Sequence, residues 1–206
     1  IDSISRRQYK DGHPDYSNIA ILYRSSYLTR QFEEALKDRA IPYRIFGGLR
    51  FYERMEVKDV LAYFNLLVND FDNISFERII NVPKRGIGDG TLEKIRQEAM
   101  DAHLSEYQYL RQIKDFKDTT KIPPKAILVI SSFISIIDNT KKRLSEKLEA
   151  YTGILRDMIT DLGYLKYLAE EEDVDEDRLA NVNALFDDVN HFLSNNPEST
   201  FEEYLQ

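Results

Sequence analysis

IPYRIFGGLRFYERMEVKDVLAYFNLLV, residues 41–68, is where this sequence changes character. Its first six residues, Ile41-Pro42-Tyr43-Arg44-Ile45-Phe46, read as a strand, with Pro42 at the start, where a missing N–H does least harm. Gly47-Gly48 then interrupts the pattern. From Glu56 the period is helical, and Val57, Val60, Leu61, Phe64, Leu67 and Val68 share one face. Everything before the glycine pair reads as α/β and everything after it as α.

Working upstream, Leu28 to Ala40 reads as a helix with Phe32, Ala35 and Leu36 on one face. Ile19-Ala20-Ile21-Leu22-Tyr23 is too short for a helix and suits a buried strand. Residues 18–46 are thus a strand–helix–strand unit, the usual sign of a parallel sheet. One such unit cannot cover both faces of a sheet, so the rest of that sheet is expected from elsewhere. Residues 1–17 show no clean period, and Asp11-Gly12-His13-Pro14-Asp15 reads as a turn.

Working downstream, Asp72-Asn73 can cap a short helix carrying Phe76, Ile79 and Ile80, which stops at Pro83. Thr91 to His103 places Leu92, Ile95, Ala99 and Ala102 on one face. A short helix is read through Tyr107, Leu110 and Ile113. Pro123-Pro124 can open a long helix from Lys125 to Tyr151. Further helices are predicted over 153–169 and 175–194. The expected fold is mainly α: a helical domain over 52–206, preceded by a partial α/β segment over 1–51.

Composition narrows the function classes. Hydrophobic residues make up 42% of the 206, enough for a core, yet no apolar run approaches the ~20 residues that span a bilayer. Residues 1–10 are polar and carry no signal peptide. Ile1 is not a natural start residue, so the chain is expected to be cut from something longer. With no cysteine, disulfides, zinc–thiolate sites and thiol catalysis are excluded, which fits a reducing cytosol. His13, His103 and His191 lie far apart without metal-ligand spacing and read as surface or packing residues. The net charge of −8 is uneven: residues 1–100 hold 16 basic and 15 acidic side chains, residues 101–206 hold 12 and 21. A phosphate backbone would therefore be met in the first half. The acidic run from Glu170 to Asp177 reads as a solvated loop or helix start.

Three stretches can carry chemistry. In Val82-Pro83-Lys84-Arg85-Gly86-Ile87-Gly88-Asp89-Gly90-Thr91-Leu92, a Gly-Ile-Gly turn joins two predicted helices. Its glycines permit positive φ and close approach, and consecutive N–H groups beside a helix N-terminus can bind phosphate. Lys84 and Arg85 add charge, which makes the stretch a sequence-independent grip on a nucleic-acid backbone or, equally, a tight connection with Ile87 in the core. Gly47-Gly48 followed by Leu49-Arg50-Phe51-Tyr52 suits a hinge, with Phe51 and Tyr52 stacking on bases or anchoring the junction. Tyr23-Arg24-Ser25-Ser26 ends the first predicted strand, where ligands gather in parallel sheets; the same serines suit an N-cap. There is no Gly-x-x-x-x-Gly-Lys-Ser/Thr loop, no His-Glu-x-x-His and no Gly-x-Ser-x-Gly, so no complete catalytic site is legible.

The order of these stretches resembles the UvrD/PcrA kind of superfamily-one DNA helicase. Ile21–Ser26 through Arg30-Gln31-Phe32-Glu33-Glu34 resembles motif IVa. Ile41–Arg54 with Glu56-Val57-Lys58-Asp59 is similar to motif IVb, and Ile80–Gly88 with Thr91-Leu92 to motif IVc. Both glycines of Gly-Ile-Gly are present, which places the chain nearer UvrD and PcrA than Rep. The resemblance covers residues 18–100; beyond that only the helical pattern matches.

The resemblance implies that residues 1–51 begin a RecA-like motor subdomain, 2A, and that residues 52–206 are most of the inserted helical subdomain, 2B. It implies no cofactor in this chain, with ATP and Mg held by the parent enzyme outside it. It implies bacterial cytoplasm, with DNA, the rest of the motor, and repair or transcription proteins as partners. Arg24 and Ser26 would meet the single strand, although the family commonly has Asn where Ser26 stands. Lys84, Arg85, Gly86, Ile87, Gly88 and Thr91 would meet duplex DNA, and Gly47, Gly48, Phe51 and Tyr52 would form the hinge. The expected function is the duplex-binding and regulatory part of an ATP-dependent 3′–5′ helicase; the alternative is a non-enzymatic helical module that recruits proteins to it.

Overall fold

The computed structural model describes residues 9–10, 13–14, 16, 19–23, 28–45, 51–113, 120–146, 150–170 and 177–205. The chain divides into two compact units, Ile1–Arg54 and Met55–Gln206.

In the first unit, the two-residue strands β1 (Tyr9–Lys10) and β2 (His13–Pro14) pair antiparallel; His13 and Pro14, expected in a turn, are in a strand, and Asp11, Gly12 and Asp15 of that predicted turn lie outside the described residues. Helix α1 (Thr29–Lys37) buries Leu36 and ends in a left-handed Ala40, with Ile41 N–H donating to the Leu36 carbonyl. Among the described residues the predicted strands at 19–23 and 41–46 are not seen: residues 19–23 and 41–45 join no ladder, and Phe46 lies outside the described residues. A strand exists only through hydrogen bonds to a neighbour, and the described residues offer these two segments none. Leu22, expected in a core, is 93% exposed for the same reason.

The second unit is helical throughout its described residues. Helix α2 (Met55–Val68) is its centre and packs against α3 (Asn73–Ile79), α6 (Pro124–Glu146), α7 (Tyr151–Asp161) and α9 (Asp177–Asn195). Helices α4 (Asp89–Asp101) and α5 (Glu106–Ile113) form an adjoining pair, α8 (Tyr164–Glu170) follows α7, and α10 (Phe201–Tyr204) closes on α9. The anticipated stripe of α2 is buried at Val57, Val60, Phe64 and Leu67. Ala62, Tyr63 and Leu66 are buried too, because neighbours cover more than one face of this helix.

Two carboxylates on this central helix are buried and satisfied. Asn181 donates to Glu56 Oε1 at 2.6 Å, while Arg78 Nε and the Tyr164 hydroxyl donate to Asp59 at 2.7 and 2.8 Å. The predicted single helix over 153–169 is two helices, parted at Gly163, whose φ is +76°. The acidic run lies largely outside the described residues.

The Asp72 cap forms as its residue type suggests: Oδ1 accepts from Ser75 N at 2.9 Å and Oδ2 from the Ser75 hydroxyl at 2.6 Å. Asp72→Ala should cost about 1 kcal/mol, read as a lower urea midpoint at unchanged slope.

Candidate nucleic-acid interface

The Val82–Thr91 stretch links α3 to α4, and its geometry follows from a few side chains. The Asn81 amide oxygen accepts the N–H groups of Arg85 (2.7 Å) and Ile87 (3.2 Å). Both partners are donors, so the oxygen, not the amide nitrogen, must face them. Gly86, between them, has a φ of +75° and supplies the reversal that non-glycine residues resist. Ile87 is buried and pins the loop to the core. Gly88 caps α4 with an extended backbone (φ −87°, ψ 172°), so the positive-φ glycine of the pair is Gly86, not Gly88. A Cβ at Gly86, Gly88 or Gly90 would meet no atom within 4 Å. The space these glycines leave therefore lies outside the protein.

Among the described residues, the N–H groups of Gly86, Gly88, Asp89 and Gly90 have no protein acceptor. Two belong to the first turn of α4, where helix N–H groups are always unpaired and the helix dipole is positive. Lys84 is exposed and forms no hydrogen bond or ion pair among the described residues. Thr91 is half-buried within the first turn of α4, and its N–H returns to the Gly88 carbonyl at 2.9 Å. Asp89 brings one exposed carboxylate to the same turn, which opposes an anion there.

Arg85 differs from its neighbour. The two N–H groups of its Nη1 are shared among the carbonyls of Ile79 (2.8 Å), Ile80 (3.2 Å), Val82 (3.0 Å) and Pro83 (3.3 Å). Its Nη2 donates to the Tyr63 hydroxyl (3.1 Å) and the Leu162 carbonyl (3.0 Å), and the guanidinium lies 5.3 Å from the Phe133 ring centre. Tyr63 in turn donates to the Val82 carbonyl. Burial holds the Tyr63 phenol above its ordinary pKa, against the pull of Arg85. Lys84 and Arg85, read from sequence as a matched pair of cations, are thus separated: Lys84 faces solvent and Arg85 braces the loop from within.

Of the predicted hinge, Gly47 and Gly48 lie outside the described residues, as do Arg24 and Ser26 of the predicted single-strand contact. Phe51 is fully buried, with the guanidinium carbons of Arg30 and Arg54 at 5.5 and 5.9 Å from its ring centre. Its N–H donates to Glu33 Oε2 at 3.4 Å, and Tyr43 donates to Glu33 Oε1 at 3.1 Å. Phe51 is therefore an anchor of the first unit rather than a stacking surface; Tyr52, 41% exposed, meets it edge-on at 5.0 Å. Asn81 was not singled out in the sequence. The available signal was an Asn just before a glycine-rich turn, a residue type that bonds nearby backbone N–H groups.

Comparison with known proteins agrees with this arrangement of motifs. The chain matches the UvrD-like helicase C-terminal domain over residues 2–206. It is 40% identical over 196 residues to a probable DNA helicase II homolog of Rickettsia conorii, covering 92% of this chain and 29% of that protein. It is 40% identical over 132 residues to DNA helicase II of Escherichia coli, covering 64% of this chain and 18% of that protein. It is 33% identical over 198 residues to the ATP-dependent DNA helicase PcrA of Bacillus subtilis, covering 96% of this chain and 26% of that protein. The chain thus spans less than a third of the length of these relatives, and it belongs to the family of UvrD-like helicase C-terminal domains.

Proposed function

We propose that this chain is the duplex-DNA-binding and regulatory portion of an ATP-dependent 3′–5′ DNA helicase acting in repair or replication in the bacterial cytoplasm. The observation that carries this reading is the loop at Lys84–Gly90, where among the described residues the N–H groups of Lys84, Gly86, Gly88, Asp89 and Gly90 have no acceptor, the glycines are open to solvent and the Lys84 ammonium is unpaired. Backbone N–H groups and a lysine recognise phosphate oxygens without reading bases, which suits an enzyme that must engage any duplex. Residues 1–51 are the beginning of the RecA-like subdomain 2A and residues 52–206 most of 2B. ATP and Mg belong to the parent's motor outside these residues. Arg24 and Ser26 meet the single strand beyond the fork. Among the described residues no helix is long and apolar enough to cross a membrane.

Titrating a labelled duplex with the chain at several salt concentrations tests the grip. Lys84→Ala should flatten the dependence of log K on log salt by about 1, the signature of one lost phosphate contact. Lys142→Ala is the control, an exposed lysine 3.8 Å from Glu146 in the acidic half, and should leave the slope unchanged. Gly88→Val should weaken binding at least about tenfold while the protein stays folded, because the Gly88 backbone is extended and the added atoms meet nothing internal. Wild-type affinity and slope in both turn variants would refute the assignment.

A further inference from the structure

We propose that Asn81 is a positioning residue for duplex binding, one that never touches DNA but sets which N–H groups of the loop reach it. This rests on the duplex-grip reading above. Five consecutive residues, Lys84 to Gly88, can supply N–H groups here, and a flexible loop would satisfy them internally in shifting combinations. Asn81 takes two of them, from Arg85 and Ile87, on a single oxygen. The interleaved N–H groups of Gly86 and Gly88 are left without a protein acceptor among the described residues. The division is thus alternate along the chain: donors of odd-numbered residues turn inward to Asn81, and those of the glycines remain for an outside acceptor.

Two features make Asn81 the controlling side chain. Gly86 has no Cβ and a φ of +75°, so without an internal tether that peptide has many conformations to choose from. The carbonyls on either side are fixed by Arg85, which holds Ile79, Ile80, Val82 and Pro83 to the Leu162 carbonyl and so fixes the base of the loop but not its tip. Ile87 packs its side chain into the core, and among the described residues Asn81 is the side chain that hydrogen-bonds to the tip, through Ile87 N at 3.2 Å. Preorganised donors bind an anion more tightly than donors that must first be ordered.

The test compares duplex affinity across a salt series for the wild-type chain, Asn81→Ala, Asn81→Asp and Lys84→Ala, below the melting temperature of each. Asn81→Ala removes the acceptor without changing charge, so it should weaken binding roughly tenfold at every salt, with the wild-type slope. Asn81→Asp keeps an oxygen in place and adds a negative charge. Its deficit should be largest at low salt and vanish at high salt, where charge is screened but the loop is still held. Hydrogen exchange at Ile87 N–H reports the tether itself and should be fast in Asn81→Ala and slow in Asn81→Asp. If Asn81→Ala loses protection at Ile87 yet binds duplex as the wild type does, Asn81 is structural only and the proposal fails. If Lys84→Ala also binds as the wild type does, with its slope unchanged, the duplex-grip reading has failed instead. Should Asn81→Ala not fold, Asn81→Asp decides: convergence on wild-type affinity at high salt supports the tether, and a deficit constant with salt overturns it.

Discussion

Arg85→Ala should destabilise the helical unit by about 3–4 kcal/mol, while Lys84→Ala, one residue earlier, should change its stability by less than about 0.5 kcal/mol. The difference comes from where the two charges point. The Arg85 guanidinium serves the Ile80 carbonyl just past α3 and the Leu162 carbonyl just past α7, which accept no backbone N–H among the described residues, and it shares the Ile79 carbonyl with the Val82 N–H. It also covers the face of Phe133, a buried ring of the core. Truncation would leave several acceptors without a donor and open a gap above Phe133. Arg85→Lys should recover only part of the loss, because one ammonium cannot span carbonyls that a planar fork reaches together. Urea unfolding followed by far-UV circular dichroism measures all three variants. A midpoint for Arg85→Ala equal to that of Lys84→Ala would mean the guanidinium is not the brace, and would return Arg85 to the surface available for DNA.

Much of the helical unit was legible because its helices carry one-sided apolar patterns and recognisable punctuation: the Asp72 cap, the proline pair before α6, the aliphatic face of α2. What escaped depends on partners distant in sequence. Nothing local tells that Arg85 meets Leu162, 77 residues away, so two adjacent cations read alike. Either glycine of Gly86-Ile87-Gly88 suits a positive φ, and only the tether from Asn81 decides that it is Gly86. The break at Gly163 was missed because apolar residues continue at helical spacing across it in sequence, Met158, Leu162 and Leu165, while in the structure the buried set after the break shifts to Tyr164 and Leu168. The strands at 19–23 and 41–46 have the right composition, but composition cannot supply a hydrogen-bonded neighbour. The order of the motifs was legible as a family pattern; whether each cation in it faces outward was not.

Between pH 4.5 and about 8 the protein should lose stability as pH rises, at up to about 1.4 kcal/mol per pH unit, because of Glu106. This side chain opens α5 yet is 3% exposed, and its Oε2 is buried without a hydrogen-bond partner. Across from it, Glu77 on α3 is bound by Arg96 of α4 at 2.5 and 2.7 Å, while Arg96 Nε comes no closer to Glu106 than 3.9 Å. Glu93 takes a third share of the same guanidinium at 3.0 Å. Burial foremost, then the nearby Glu77 carboxylate, which favours a proton on Glu106 as an acceptor for it and by its charge, push the Glu106 carboxyl up to about 8 from an ordinary 4.5, with Arg96 pulling weakly the other way. The folded protein therefore keeps a proton in this window that the unfolded chain has released. The contribution is complete below pH 4.5 and is lost as pH climbs through 8. Glu77, whose carboxyl Arg96 holds below its ordinary range, acts with the opposite sign and only below pH 4.5. Glu106→Gln mimics the protonated acid at every pH. The variant and the wild type should be nearest at about pH 4, and by pH 8 the variant should have gained about 2–4 kcal/mol on the wild type. Glu202→Gln, an exposed carboxylate on α10, should leave the pH profile as it was. Parallel stability curves for wild type and Glu106→Gln would show that this carboxyl is ionised in the folded protein and that α3, α4 and α5 tolerate its charge.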